Sequence, residues 1–324
     1  MKPLPLGHDD EIRFFLQQHD AGKLAHAWLL QGPKGIGKSL VAKALTRLIM
    51  SNQRTQGDIA QRLQQIATEP LQTLITNHSC PDLRIVEREK NDRGVLRSQI
   101  TVEQVREVNS FLSHSRSIAK YKVVIIDVAE DMNRSAANAV LKNLEEPRPM
   151  TLIFLLSHAP QNLLPTIRSR CVTMTMKPLG KETFVKWAES QGIDEEQQHS
   201  LYTASRGRPG YANRLIEHDL FVWRESASSL LDHFDTADLT TIMTVAEPIV
   251  SKQKNDRHDW AGKVLLDIVV AKAKTEMKLF WAQAYQQIAQ AIEDMNRLHL
   301  DRNLTLTTVL LKLQNEYRKT LKHS

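Results

Sequence analysis

Gly32-Pro33-Lys34-Gly35-Ile36-Gly37-Lys38-Ser39 is the stretch on which the reading of this chain turns. It satisfies every fixed position of G-x-x-x-x-G-K-[ST]. Before it, His26-Ala27-Trp28-Leu29-Leu30-Gln31 is a short apolar run suited to a buried strand. After it, Leu40-Val41-Ala42-Lys43-Ala44-Leu45 reads as the first turns of a helix. A strand, a glycine-rich turn and a helix start in that order make a phosphate cradle. The glycines let backbone N–H groups close around phosphate oxygens, and the helix N-terminus adds the positive end of its dipole. The whole stretch from Gly32 to Ser39 is therefore assigned to nucleotide binding. Lys38 is expected to neutralise the β and γ phosphates, and Ser39 to ligate Mg²⁺. The competing reading, a β–α turn that binds nothing, is disfavoured by both flanks.

Working outward, Asp9 to Gln18 carries Ile12, Phe14, Phe15 and Leu16 and suggests a short helix. Gln53 to Asn77 is polar, with Ile59, Leu63, Ile66 and Leu71 at mixed helical spacing. Pro81 to Val86 reads as a second strand, and Glu87 to Ser98 as a charged loop or hairpin. Thr101-Val102-Glu103-Gln104 is a capping box that opens a helix with Val105, Val108, Phe111 and Leu112 on one face. Tyr121 to Ile126 is a β-branched run that suits a buried parallel strand, and it ends in Asp127. A carboxylate at that carboxyl end sits where α/β sheets bind ligands, so Asp127 is assigned to Mg²⁺ in preference to a helix cap. Ala136, Ala137, Val140, Leu141 and Leu144 form the next helix face, and Pro147 stops it. Thr151 to Leu156 is another buried strand, followed by Ser157 and His158. Ser157 is taken as a cofactor contact. For both residues, contact with a γ-phosphate and a plain turn remain open. Strands and helices alternating at these lengths imply a parallel α/β sheet.

The chain has 324 residues, more than one typical core holds, so two or three domains are expected. At 41% hydrophobic and 25% charged residues it has a globular composition that argues against disorder. The net charge of +6 tolerates a polyanionic partner without demanding one. Cys80 and Cys171 lie far apart and make no C-x-x-C pair, so neither a zinc site nor a disulfide framework is expected. Met1-Lys2-Pro3-Leu4-Pro5-Leu6 lacks a signal-peptide apolar region, and no apolar run is long enough to span a bilayer. A cytoplasmic protein with no membrane partner is expected.

A more specific resemblance lies in Asp127-Val128-Ala129-Glu130-Asp131-Met132-Asn133 and in Ala136 through Leu144-Glu145-Glu146-Pro147. Leu163-Leu164-Pro165-Thr166-Ile167-Arg168-Ser169-Arg170-Cys171 adds a Ser-Arg-Cys segment. Lys23 to Ala27, Pro81-Asp82-Leu83 and Leu298-His299-Leu300-Asp301-Arg302-Asn303 add further matches, the last resembling a collar signature. Together these segments resemble the clamp-loader branch of the AAA+ ATPases, and they cover most of the chain. The resemblance implies an α/β P-loop core over 1–177, a small helical lid over 178–219 and an all-α collar over 220–324. It implies ATP and Mg²⁺ as cofactors. It implies other clamp-loader subunits of a hetero-pentamer, a sliding clamp and primed DNA as partners. Arg170 is implied to reach a neighbouring subunit's γ-phosphate, where a guanidinium stabilises a transferring phosphoryl group. A surface arginine near a strand end is the competing reading.

The chain departs from that family's motor subunits in places. They carry Asp-Glu where this chain has Asp127-Val128, and Val128 cannot polarise water. They place a sensor arginine where this chain has Gly210. Relatives carry a four-cysteine zinc module near Asn77 to Cys80, of which only Cys80 is present here. The resemblance therefore implies a subunit that binds ATP, hydrolyses it weakly or not at all, and has no polymerase site. A self-sufficient AAA+ motor and a P-loop nucleotide kinase are the alternatives. The long helical second half, and the absence of an arginine-rich lid, argue against the kinase. In that half Lys272, Lys274, Lys278, Lys312, Arg318, Lys319 and Lys322 read as a solvated surface before a nucleic-acid patch. Trp281 and Tyr285 are expected to share one packed face.

Overall fold

The computed structural model describes residues 6–91, 96–251, 256–276, 279–297 and 301–322. The chain divides into two compact units, Met1–Gly210 and Tyr211–Ser324. In the first, helices α1 (Asp9–Asp20), α2 (Lys38–Met50), α3 (Ile59–Gln65), α4 (Pro70–Thr76), α5 (Val102–Ser113), α6 (Arg134–Glu145) and α7 (Pro165–Arg168) alternate with strands. The strands are β1 (Ala27–Gln31), β2 (Leu83–Val86), β3 (Lys122–Asp127), β4 (Thr151–Ser157) and β5 (Val172–Thr175). Helices α8 (Lys181–Ser190) and α9 (Glu195–Ser205) complete the unit, and α10 (Pro209–Glu217) begins at its end.

All pairings in the sheet are parallel, in the order β2-β3-β4-β1-β5. The chain therefore leaves β1 to build β2, β3 and β4 on one side, then crosses back to lay β5 on the other. Strand β1 is thus interior, and the turn that follows it opens beside the end of β4. Alternate residues feed opposite faces. Trp28, Leu30, Val123, Ile125, Leu152, Phe154 and Leu156 pack under α1 and α2. Ala27, Leu29, Val124, Ile126, Ile153 and Leu155 pack under α5 and α6. Burial on both faces is why β3 and β4 read as continuous apolar runs. Phe15 and Trp28 meet at 4.8 Å, and Phe15 and Phe154 at 5.8 Å, which ties α1 to the sheet.

The helix assignments follow the sequence pattern closely. Gln104 accepts from the Thr101 N–H at 3.0 Å, as the capping box requires, and also donates to the Glu87 carbonyl. The polar stretch Gln53 to Asn77 forms α3 and α4, with Asp58 capping the former. Lys90 bridges Leu96 in antiparallel sense, and residues 92–95 of the charged segment lie outside the described set.

In the second unit α11 (Phe221–Asp232), α12 (Leu239–Val250), α13 (Arg257–Glu276), α14 (Leu279–Arg297) and α15 (Arg302–Lys322) follow the rest of α10. Its aromatic centre joins Phe234, Phe280, Trp281 and Tyr317, with Trp281 5.3 Å from Tyr317. The expected Trp281–Tyr285 pairing needs correction. Trp281 is buried, whereas Tyr285 is exposed, because four residues carry the helix just past the edge of the packed face. Lys272 is ion-paired with Asp232 and Glu276, a structural role. The expected collar signature lies partly outside the described residues, as do Lys278 and residues 298–300. Its Arg302 donates to the Val250 and Ile249 carbonyls and so ties α15 to the end of α12. Among the described residues no helix is long and apolar enough to cross a membrane.

Asp82, fully buried before β2, organises the amino edge of the sheet. Its carboxylate accepts from the N–H groups of Ser117, Ile118 and Ala119 at 2.8 to 3.1 Å. Burial alone would raise its pKa, but those N–H groups and the Lys122 ammonium hold it below the usual carboxylate value. Asp82→Ala leaves the three donors without their acceptor and is expected to cost ~3 kcal/mol or more in urea unfolding. The depressed folded-state pKa makes this stabilisation present at neutral pH and lost as pH falls below ~4. The gap between wild type and variant should therefore close on acidification.

Candidate nucleotide-binding site

The site grows from the carboxyl ends of β1, β3 and β4. Parallel register places Gln31 beside Ser157, and Asp127 beside Leu156. The Gly32 N–H donates to the Ser157 carbonyl at 3.2 Å, which anchors the start of the loop on β4. Gly32 has φ of 148°, and a Cβ there would lie 2.2 Å from the Met176 carbonyl oxygen. Only glycine fits a loop pressed so closely between two segments. Gly35 and Gly37 also take positive φ, and Gly37 leads into α2. Gly210 donates its N–H to the Gly35 carbonyl at 2.7 Å. A Cβ on Gly210 would stand 3.1 Å from Gly35 backbone atoms, so this position closes on the loop as backbone.

Lys38 is 4% exposed, and its Nζ donates to the Gly32 and Pro33 carbonyls at 2.6 and 2.9 Å. Burial lowers its pKa to about 8, against the opposing pull of Asp127 and Glu130. His158 is pushed down to about 4, first by burial and then by the Lys38 charge. It is therefore neutral at physiological pH. Glu130 lies in the turn after β3. Its Oε1 accepts from the His158 and Ala159 N–H groups at 2.7 and 2.9 Å, so the carboxylate is directed at the β4 turn.

Among the described residues Ser157 Oγ, His158 Nδ1 and Glu130 Oε2 are buried without a hydrogen-bond partner. Unsatisfied buried polar atoms are costly, and here they gather beside a buried ammonium and a helix N-terminus. A loop crowded so that a side chain cannot enter, a desolvated cation and unfilled polar atoms fit a nucleotide phosphate. Of the sequence-assigned residues, the structure gathers Gly32, Pro33, Lys34, Gly35, Ile36, Gly37, Lys38 and Ser39 at the end of β1, with Ser157 ending the adjacent β4 and Asp127 ending β3, one strand further.

Arg170 stands apart from that cluster. Its guanidinium pairs with Glu145 at 2.9 Å and donates to the Thr166 carbonyl at 2.9 Å. Next to it, burial pushes the Cys171 thiol up to about 12, and Cys171 packs against the α5 and α6 side of the sheet. His8 was not foreseen at this site. Its Nε2 lies 3.1 Å from the Ile36 carbonyl. No motif surrounds His8, and its approach to the loop depends on where α1 packs.

The family described as DNA polymerase III, delta subunit, matches residues 7–180. The chain belongs to this family. Among its curated relatives, the DNA polymerase III subunit delta′ of Pseudomonas aeruginosa is 34% identical over 59% of this chain. That match spans 56% of the relative, little more than half its length. The delta′ subunit of Yersinia pestis is 28% identical over 94% of this chain and 84% of its own. A solved gamma subunit-related protein of DNA polymerase III from Thermotoga maritima covers 93% of this chain and 98% of its own. Its identity is 15% and its TM-score 0.47. The family match includes the whole phosphate loop, Asp127, Ser157 and Arg170.

The buried ammonium has a consequence for stability. Lys38 titrates at about 8 in the folded protein, against ~10.4 in an unfolded chain. Between those values the unfolded chain holds more protons, so stability rises with pH. Relative to Lys38→Met, wild type is expected to gain up to ~3 kcal/mol between pH 7 and pH 10. Urea unfolding at both pH values measures this, and a flat difference would falsify the buried-charge reading.

Proposed function

We propose that this protein is a clamp-loader subunit of the replicative DNA polymerase, acting in the cytoplasm to help load a sliding clamp onto primed DNA. It works beside other loader subunits in a hetero-pentamer. Membership in the DNA polymerase III delta family supports the assignment, as do the delta′ relatives. The proposed division is a nucleotide-binding core over 1–177, a helical lid over 178–219 and a helical collar over 220–324.

The cradle from Gly32 to Ser39 holds the phosphates of ATP, with Lys38 neutralising them and Ser157 contacting the outer phosphate. Ser39 and Asp127 hold Mg²⁺. When bound, Mg²⁺-ATP supplies the charge and the phosphoryl group on which a loader's conformational cycle runs. The observation that carries the reading of weak hydrolysis is Glu130. Val128 brings no acid to the end of β3, and the nearby Glu130 carboxylate is tied through one oxygen, Oε1, to the His158 and Ala159 amides. That tether to the β4 turn, together with Val128, supports weak hydrolysis. At Gly210, where a sensor arginine would stand, backbone meets backbone. The protein is a nucleotide-binding subunit with little turnover of its own.

Arg170 acts in trans. The Glu145 carboxylate and the Thr166 carbonyl fix two edges of the guanidinium and leave further N–H donors for a neighbour's phosphate. The exposed Arg170–Glu145 pair is worth at most ~1 kcal/mol, weak enough to yield to a phosphate. ATP turnover measured on the isolated protein, and again with partner subunits and primed DNA, tests the assignment. Slow turnover alone is expected. Arg170→Ala should cut turnover only in the reconstituted complex, by up to ~10³-fold at the one site it serves. Glu145→Ala should leave the isolated protein's stability within ~1 kcal/mol. Brisk turnover by the isolated protein, abolished by Lys38→Ala, would instead make it a self-sufficient motor.

A further inference from the structure

The amino edge of the sheet carries a second cleft, of about 520 Å³. It lies where β3 begins at Lys122 and β4 begins at Thr151. The phosphate loop lies at the opposite edge. Strand β4 has seven residues, which separates the two edges by ~20 Å at ~3.3 Å per residue. The cleft is lined by Arg116, Lys122, Arg148 and His114 together with serine and threonine side chains, and no lining residue is acidic.

Two features set this cleft apart from an ordinary solvated basic surface. The first is the fixed shape of its loop. Residues 113–120 are rich in serine and mostly exposed, yet the backbone is held from below. Asp82 accepts from three successive N–H groups, and Lys122 Nζ donates to the His114 and Ser115 carbonyls at 3.0 and 3.2 Å. Both ionic side chains are buried, and Lys122 also lies 4.5 Å over the Phe111 ring. Burying two charges to shape one surface loop costs desolvation that apolar packing would not. The second feature is the state of the arginines. Among the described residues neither Arg116 nor Arg148 has a carboxylate partner. Arg116 donates to the Lys120 carbonyl of its own loop, and Arg148 to the Ser113 carbonyl at 3.4 Å.

We propose that this cleft is an anion site that takes a phosphate group, distinct from the phosphate loop. A carboxylate has two oxygens and is satisfied by one guanidinium fork. Two forks, with Ser115 and Ser117 also lining the cleft, suit the larger oxygen set of a phosphate. The volume also exceeds what a lone ion needs. The phosphate belongs either to a small free compound or to the backbone of a nucleic-acid strand, and both present the same oxygens. This inference stands on the cleft alone and does not rest on the reading of the P-loop.

The test uses the full chain carrying Lys38→Ala, so that the P-loop does not report. Inorganic pyrophosphate is titrated by calorimetry, and a fluorescein-labelled oligothymidylate by anisotropy at several salt concentrations. Adding Arg116→Ala and Arg148→Ala is expected to weaken pyrophosphate binding ~10-fold or more, as expected from losing two charge-assisted contacts. Arg116→Lys with Arg148→Lys keeps the charge, loses the forks and should fall between. If oligothymidylate binding depends on the same arginines, the plot of log affinity against log salt loses ~1.4 of slope, ~0.7 for each contact. The ligand is then a strand backbone. Dependence for pyrophosphate alone identifies a small phosphate compound. The proposal is overturned if neither probe binds the Lys38→Ala protein, or if both bind equally well after the arginines are removed. Thermal melting followed by circular dichroism checks the fold. Where the alanine pair unfolds the protein, the lysine pair decides, and unchanged affinity in it overturns the proposal.

Discussion

Backbone crowding at Gly32 is the constraint on which the site depends. Its N–H is fixed to the Ser157 carbonyl, and the Met176 carbonyl sits where a Cβ would be. That contact joins the ends of β1 and β4 to the segment that follows β5. It exists because β1 is interior to the sheet, flanked by β4 and β5. The loop between β1 and α2 therefore cannot relax outward, and the α2 N-terminus is held at the carboxyl edge. A phosphate cradle follows from sheet order and from glycine geometry together.

Charge burial is the second organising principle, and the chain uses it at both edges of the sheet. At the carboxyl edge Lys38 is desolvated beside Asp127 and Glu130, and His158 is kept neutral nearby. At the amino edge Asp82 and Lys122 are desolvated to hold a loop. The two places differ in what is satisfied. Around Lys38, buried polar atoms of Ser157, His158 and Glu130 lack partners. Under the amino-edge loop, the buried carboxylate and ammonium are fully engaged, and the uncompensated charge belongs to the arginines above them. One edge keeps its binding capacity in the buried layer, and the other uses that layer as a scaffold.

Much of this was legible along the chain. The strand–loop–helix about Lys38, the buried strands ending at Asp127 and Ser157, and the capping box at Thr101 are local patterns. Local physics suffices for them: glycine freedom, two-sided burial and orphan N–H groups at a helix start. The Trp281–Tyr285 pairing failed because helical spacing fixes direction to within a sector and does not fix where the packed face ends. His8 and Gly210 were out of reach as loop contacts for another reason. Each meets the phosphate loop through a backbone carbonyl, of Ile36 and of Gly35, and such contacts leave no mark on side-chain pattern.

The sequence by itself determined strands β1 to β4 and the helices between them, the parallel α/β class, the phosphate loop and the lack of an acid at Val128. These are set by residue identity and short-range spacing. Tertiary structure decided what the charged groups do. It turned Glu130 toward the His158 and Ala159 amides, set Arg170 against Glu145, and left Arg116 and Arg148 over a cleft built on Asp82. The physical reason is that a charge acts through its distance to other charges and through its desolvation. Both are properties of the packed fold, brought about by segments that lie far apart along the chain.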